Sequence, residues 1–326
     1  MVMKMQNTER IFNYFEDKYG LGYLGLLKTA TVASMLISNS NIIPLSILVI
    51  SPPGQFKSQT TRELQNIFSQ KSIKDLGSDF TIHSIIKISQ NGRLFNHKTL
   101  LINDLTLLFS SKANRTKDRL VNALAEILSE GVYTYGDRLE AHMIFKAKVN
   151  IIANITTSSF YQNKKSFLDN TFIERLMPFH YNLSDNKQEA FSIDETNRKS
   201  MIFGNKISLK KLTIENYAAY NDVLLSLAKE YKLLTLSPSL PRCIDKIKAL
   251  IGGLCILNNQ TTITQEIIEH TSLLIKYSGS QGNKDMDIIQ LFNQGVSIKE
   301  ICRTLNYDSD YPYKVIRKYK QNGFLS

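Results

Sequence analysis

Residues 47–58 read ILVISPPGQFKS, an unbroken apolar run that turns at Pro52-Pro53-Gly54 and arrives at Lys57 and Ser58. A run that is apolar on both faces is a strand buried inside a sheet. The residues behind the turn, Thr61-Arg62-Glu63-Leu64, lead into a helix. Strand, turn, Lys-Ser and helix form the layout of a phosphate-binding loop, G-x-x-x-x-G-K-[ST]. In such a loop main-chain amides wrap the phosphates, and the lysine reaches the β and γ oxygens. Here Ser51 and Phe56 stand at the glycine positions and Gly54 is the glycine that remains. Phe56 needs a backbone that tolerates a β-carbon, where glycine would be freer. The alternative is a basic turn before an ordinary helix.

The chain of 326 residues is 43% hydrophobic, enough for one large α/β core and a small appended domain. Lys and Arg number 40 against 29 acids, and the net charge of +11 favours polyanionic partners, nucleic acid first among them. Solvated lysine faces are the other source of such a charge. Cys243, Cys255 and Cys302 are scattered, with neither metal spacing nor a disulfide framework, which fits a reducing compartment. The start, MVMKMQNTERIFNYFEDK, lacks the apolar segment of a signal peptide. Residues 21–50 are apolar but are interrupted by Lys28 and by Ser38–Asn41, so a soluble protein without membrane contact is expected.

Periodicity predicts helices over 7–18 and 23–37, a central strand over 44–50, and a helix from Lys57 to about Gln70. A further strand is placed at 81–88, with a turn at Asn91-Gly92. Residues 99–102 form a second buried strand ending in Asn103-Asp104, and 116–129 an amphipathic helix on Leu120, Leu124 and Leu128. A hairpin spans 132–148, and a third buried strand covers 149–153 and stops at Asn154. This order predicts a mostly parallel sheet with helices on both faces. Beyond it come a helix over 165–177, a short exposed strand over 178–183 leading away from the core, and a polar linker or lid entry over 184–208. Helices are expected over 210–232, 241–257 and 263–277, then a flexible linker over 278–285. The last unit reads as helices over 287–294, from Ser297 with its capping-box Glu300, and over 311–322. It suggests helix-turn-helix, or a plain protein–protein module.

ATP hydrolysis needs cradled phosphates, a bridging metal, a carboxylate for the water and a positive charge for the transition state. Pro53, Gly54, Gln55, Phe56, Lys57, Ser58 and Gln59 are the candidate cofactor-binding residues. Ser58, Asn103 and Asp104 are the candidate ligands of Mg2+. Asp104 is the base or the metal-side carboxylate, or else an aspartate capping the next turn. Asn154 either orients the attacking water or forms a turn. Arg175 and Arg242 are candidates for the charge that meets the γ-phosphate, or are simply solvated.

The segments ILVISPPGQFKS, TLLINDL, VNIIANIT, FIERLMPF and SLPRCIDKIKAL together resemble an AAA+ ATPase over about residues 40 to 277. The last two most resemble minichromosome-maintenance helicases and their relatives on plasmids, phages and integrated elements. The resemblance implies an N-terminal helical segment (1–40), an AAA+ α/β core (41–208), a helical lid (209–277) and a helix-turn-helix or winged-helix domain (278–326). It makes the first segment Walker A and the second Walker B, with Asn103 where a first acid is usual. It makes Asn154 the sensor 1 residue, Arg175 an arginine finger reaching a neighbouring subunit's ATP, and Arg242 the sensor 2 residue. Lys146 and Lys148 fall where such proteins place a DNA-touching hairpin, though a solvated hairpin is the plainer reading. Arg317, Lys318 and Lys320 would hold the duplex. The resemblance further implies ATP and Mg2+ as cofactors, a DNA-acting helicase-like remodeller, and a homo-oligomer, a hexamer. Replication or recombination proteins would be partners, in the cytoplasm of a prokaryotic cell or encoded by a mobile element. The alternatives are an ATP-bound initiator, loader or regulator with weak hydrolysis, and a partner-binding protein with a decayed site.

Overall fold

The computed structural model describes residues 6–69, 73–76, 98–106, 114–130, 132–137, 140–146, 149–162, 172–183, 185–193, 195–235, 239–278, 285, 288–289, 292, 297–305, 307 and 310–321. Its centre is a five-stranded parallel sheet. The strands are β1 (Ile47–Ser51), β2 (Ile73–Asp75), β3 (Lys98–Ile102), β6 (Val149–Thr156) and β7 (Met177–His180), in the order β2-β3-β6-β1-β7. A separate antiparallel hairpin joins β4 (Val132–Asp137) to β5 (Glu140–Lys146).

Alternate strand residues face opposite ways, and each face has its own core. Ile47, Val49, Leu101, Ile152, Met177 and Phe179 point to one side. There they meet α1 (Asn7–Tyr19), α2 (Gly22–Ser34) and α3 (Lys57–Ile67), and beyond these α8 (Asn221–Thr235), α9 (Leu240–Leu257) and α10 (Gln265–Ser278). Leu48, Ile50, Leu100, Ile102, Ile151 and Ile155 point to the other side, onto Val121, Leu124, Ile127 and Leu128 of α4 (Asn114–Glu130). The result is an α/β fold with helices flanking both faces of the sheet. Shorter helices are α5 (Thr157–Gln162), α6 (Asp185–Ile193) and α7 (Glu195–Ser200), with single 3-10 turns at Ile173–Arg175 and Tyr217–Tyr220. A separate cluster of Ile288, Ile289, Ile301, Val315, Ile316 and Tyr319 gathers around α11 (Ile298–Leu305) and α12 (Asp310–Gln321).

The innermost helix is α2. Every residue of it except Tyr23 is buried. The hydroxyls of Thr29, Thr31 and Ser34 return to carbonyls one turn back, so they enter the core already hydrogen-bonded. One side of α2 is tied to the sheet, where Asn150 Nδ2 donates to Thr31 O at 2.6 Å. The other side takes α9 at very short range. A Cβ added at Gly253 would lie 2.3 Å from Ala30 O, and one at Gly252 would lie 2.5 Å from Ile37. The helices approach this closely because α9 carries Gly253 at the crossing, while Gly252 leaves room for Ile37 just beyond α2.

Several expectations change. The third strand continues past Asn154 to Thr156, so Asn154 is an interior strand residue paired with Val49. Residues 177–180 form a strand of the main sheet, with Met177 and Phe179 buried, and do not lead away from the core. Pro178 lies within this strand. It is accommodated because β7 is an edge strand and its odd-numbered amides, Met177 N and then Tyr181 N, donate inward to Ser46 O and Ile50 O. The Ile173–Arg175 turn and β7 also replace the end of the helix expected over 165–177, whose first part lies outside the described residues. Residues 184–208 hold α6 and α7, and 201–216 run irregularly before α8. A short strand that was not expected, β2 at Ile73–Asp75, precedes β3. The strand placed at 81–88 and the Asn91-Gly92 turn lie outside the described residues, as does most of the 278–285 linker. Among the described residues no helix is long and apolar enough to cross a membrane.

The α2–α9 crossing is directly testable. Gly253→Ala places a methyl against a backbone oxygen that cannot swing away. It should destabilise by about 1–3 kcal/mol, read as a lower urea midpoint, whereas Gly204→Ala, in open space, should be close to neutral.

Candidate functional site

Parallel strands share the edge at which they end. At that edge stand the Pro52–Ser58 turn after β1, Asn103 and Asp104 after β3, and the last residues of β6. Because β6 lies between β1 and β3, it puts Asn154 between the lysine of the turn and the carboxylate.

The turn has two positive-φ residues, Gly54 at 78° and Phe56 at 58°. For glycine this is free; for an L-residue the left-handed region costs about 1–2 kcal/mol. Phe56 holds it because its ring is 6% exposed, packed 5.7 Å from the ring of Tyr19 and capped by the Arg198 guanidinium at 4.7 Å. The ring thus points into the core beneath α1 and not into the turn. Gln55 faces inward too. Its side chain donates to Asn182 Oδ1 at 2.6 Å and accepts from Leu183 N at 3.1 Å, while the Tyr181 hydroxyl donates to Gln55 O. Pro53, Gly54 and Gln59 are exposed, and Ser58 is half-buried. Of the seven expected binding residues, Phe56 and Gln55 therefore offer main-chain atoms only, their side chains serving to shape and anchor the turn.

Lys57 Nζ curls over the end of β1 and donates to Ser51 O and Ser51 Oγ, each at 2.9 Å, and to Pro52 O at 2.6 Å. Burial pulls its pKa down to about 8, and the negative charge of Asp104 partly opposes this. Beneath it lies a second lysine, Lys28 of α2, fully buried. Lys28 Nζ donates to Lys57 O at 2.9 Å, Thr60 Oγ1 at 2.8 Å and Thr61 Oγ1 at 2.6 Å. Burial, and then the charge of Lys57, hold its pKa well below the usual lysine value. Thr61 Oγ1 also accepts from Asn154 Nδ2 at 3.3 Å, so Lys28, Thr61 and Asn154 form one connected set under the first turn of α3.

Asp104 Oδ1 accepts from Thr106 N at 2.8 Å, which is the turn-capping role, and Asp104 is also the acid that Lys57 senses. Asn103 donates Nδ2 to Asp75 Oδ2 at 2.8 Å, so β2 brings a second carboxylate beside the position that lacks one. Asn103 Oδ1 and Asn154 Oδ1 are buried without a hydrogen-bond partner. Among the described residues no three His, Cys, Asp or Glu side chains gather as a metal set. Mg2+ does not require one, since it keeps waters and takes one or two carboxylates together with phosphates. Ser58 and Asp104, with Asn103 Oδ1 as acceptor for a metal-bound water, fit that demand.

Arg175 and Arg242 are elsewhere. Arg175 precedes β7 and donates to Ser129 Oγ at 3.3 Å, and Arg242 pairs with Glu174. Both sit where the strands begin, about 13 Å or more of sheet from the turn of their own chain. The hairpin enters β6 from this beginning edge too. Lys146 ends β5, and Lys148 lies outside the described residues. Arg317, Lys318 and Lys320 are exposed on α12, with Lys318 at 3.8 Å from Asp285 and Lys320 over the Phe292 ring at 5.4 Å. Ser297 does cap α11, accepting from Glu300 N at 3.3 Å.

Lys28 and Asp75 were missed as site residues. Lys28 had a signal, a lone lysine inside an apolar helical run; Asp75 had none, its strand being three residues long. No family model matches the chain, and no curated protein sequence matches it.

Two measurements probe the turn. Phe56→Ala keeps the strained φ and loses the ring, so it should cost about 3–5 kcal/mol. Phe56→Gly loses the ring but relieves the strain, so it should cost about 1 kcal/mol less than Ala, a ranking checked by chemical denaturation. For Lys28 the folded pKa lies below the unfolded value near 10.5, so the unfolded chain holds the extra proton between the two. Its contribution to stability therefore rises with pH through that window. Urea unfolding at about pH 7 and pH 9.5 should show wild type gaining stability relative to Lys28→Met.

Proposed function

We propose that this chain is an ATP-binding, DNA-acting ATPase of the AAA+ kind. In this reading the sheet and its flanking helices are the nucleotide core, α8–α10 the lid, and the unit around α11 and α12 a helix-turn-helix domain of the winged-helix type. The observation that carries it is the convergence of Lys57, Asp104 and Asn154 at one sheet edge, beneath a turn with positive φ at Gly54 and Phe56.

Each residue has a task that its surroundings support. The amides of the turn and the Lys57 ammonium hold the phosphates, Lys57 exchanging its contacts with Ser51 and Pro52 for phosphate oxygens. Ser58 and Asp104 would hold Mg2+, which would supply Lewis-acid stabilisation of the phosphate charge. Asp104 or Asn154 orients the water, Asn154 through a carbonyl oxygen with no other partner. Arg175 and Arg242 lie too far from their own turn to serve it, so the positive charge would come from a second copy in a ring, a hexamer. The hairpin with Lys146 and Lys148, and α12 with Arg317, Lys318 and Lys320, would touch DNA, consistent with the net charge of +11. Replication or recombination proteins are the partners this suggests, in the cytoplasm of a prokaryote or from a mobile element.

A second reading has a specific observation behind it. Asn103, bonded to Asp75, stands where a motor would carry an acid, which favours an ATP-bound initiator, loader or regulator with weak hydrolysis.

ATP titration and steady-state turnover, with and without DNA, test both readings. Wild type should bind ATP and Lys57→Ala should lose it. Affinity should fall as pH rises through about 8, approaching tenfold per pH unit, because Lys57 must be charged to hold phosphate. DNA-stimulated turnover selects the motor, and tight binding without turnover selects the switch. Absence of ATP binding in wild type removes both.

A further inference from the structure

A cleft of about 740 Å3 opens where the start of α1, the segment 205–208 and the turn after α9 come together. None of residues 51–58 lines it. Two cations do, Arg10 and Lys206. The Arg10 guanidinium is fixed in place. Its Nη1 donates to Asn7 Oδ1 at 3.1 Å, its Nη2 donates to Asn205 O at 3.0 Å, and it lies 5.1 Å from the centre of the Phe203 ring. All three partners are uncharged, so they orient the charge without cancelling it. Lys206 is exposed, as are Ser208 and Lys210, while Ile207 and Leu209 between them are buried. That is the alternation of an extended chain, and it puts Lys206, Ser208 and Lys210 on one outward face. Arg10, Lys206 and Lys210 form no ion pair among the described residues. The chain holds no Asp or Glu over residues 1–8, 201–214 or 246–265, the stretches from which the walls are drawn. Glu9, Glu215 and Glu266, which follow these stretches, are not in the lining, and Glu266 accepts from Gln6 Nε2 at 2.7 Å.

The rest of the lining is largely amide. The side chains of Asn205, Asn259 and Gln260 and the hydroxyl of Ser208 make no hydrogen bond among the described residues. Gln260 Oε1 is buried with no partner, and turning that amide toward a ligand's N–H would remove a cost the chain otherwise bears. An Asn or Gln amide pairs a donor with an acceptor, the combination that reads the edge of a base. Fixed cations and unused amides in one cleft call for a ligand that repeats phosphates beside donor–acceptor edges. In a duplex those edges face one another, whereas an unpaired base is free to enter a cleft and to be bonded along its edge. We infer that this cleft and the face running on to Lys210 bind single-stranded nucleic acid, with phosphates on Arg10, Lys206 and Lys210 and an unpaired base against Asn205, Asn259 and Gln260. The inference stands apart from whatever the Pro52–Ser58 turn and α12 bind.

The test is fluorescence anisotropy of a labelled single strand of mixed sequence, with no nucleotide added. The full chain carries Arg317→Gln, Lys318→Gln and Lys320→Gln, so that α12 has lost the cations proposed to hold DNA. This protein should bind the strand, and should bind the matching duplex at least tenfold more weakly. Adding Lys206→Gln and Lys210→Gln, both exposed positions, should weaken strand binding at least tenfold while the melting curve stays in place. The same pair should flatten the slope of log affinity against log salt by about 1.4, the share of two phosphate contacts on a single strand. Asn205→Ala with Gln260→Ala should weaken binding and leave that slope unchanged, since no charge is removed. No binding of the strand, an affinity within twofold after Lys206→Gln/Lys210→Gln, or equal binding of the duplex would overturn the site. Displacement of the strand by polyglutamate at equal charge concentration would overturn the nucleic-acid assignment in favour of an acidic peptide.

Discussion

An amine cut off from water, Lys28 Nζ, holds the first turn of α3 from below, gripping Lys57 O and the hydroxyls of Thr60 and Thr61. The start of α3 at the exit edge of the sheet is tied to this contact. Through Thr61 it reaches Asn154 in the middle of the sheet, and through Lys57 O it fixes the start of the helix that carries the second amine. A lysine so placed is expensive to desolvate, and three short hydrogen bonds are what make the position tolerable. Its helix is itself held by Asn150 on the sheet side and by the close approach of α9 at Gly253 on the other. The turn is thereby held from two sides, by Lys28 under the start of α3 and by Tyr19 and Arg198 around the Phe56 ring.

The two ends of the sheet carry different chemistry. One gathers an amine, a carboxylate, a hydroxyl and two asparagine oxygens with unused lone pairs. The other carries the Arg242–Glu174 pair, Arg175 against α4, and the point where the hairpin feeds β6. Under the proposed function the arginines of one end would meet the turn of a second copy, which is why that reading calls for a ring.

The three buried strands were legible because they are short apolar runs ending in polar residues, and β1, β3 and β6 all have that form. Lys57 and Asp104 were legible because a strand end places them, whatever the rest of the chain does. Phe56 read as a departure from a glycine, and the structure shows its compensation, which lies in Tyr19 and Arg198, far away in sequence. Lys28 read as an interruption of an apolar helix, because a sequence cannot show that three acceptors wait for it. The inward turn of Gln55 toward Leu183 was hidden for the same reason, since its partners come from the segment after β7. Residues 178–183 were expected as an exposed strand leading away from the core, but Pro178 sits in the outermost strand of the main sheet, beside β1.

That proline has a wider effect. A sheet border is a row of donors and acceptors ready to recruit another chain. With Met177 and Tyr181 donating inward, the nitrogen at 178 is one of those turned outward, and it carries no hydrogen. The border beside β1 is thereby blunted. Many copies can crowd side by side without zipping their sheets into a continuous ribbon.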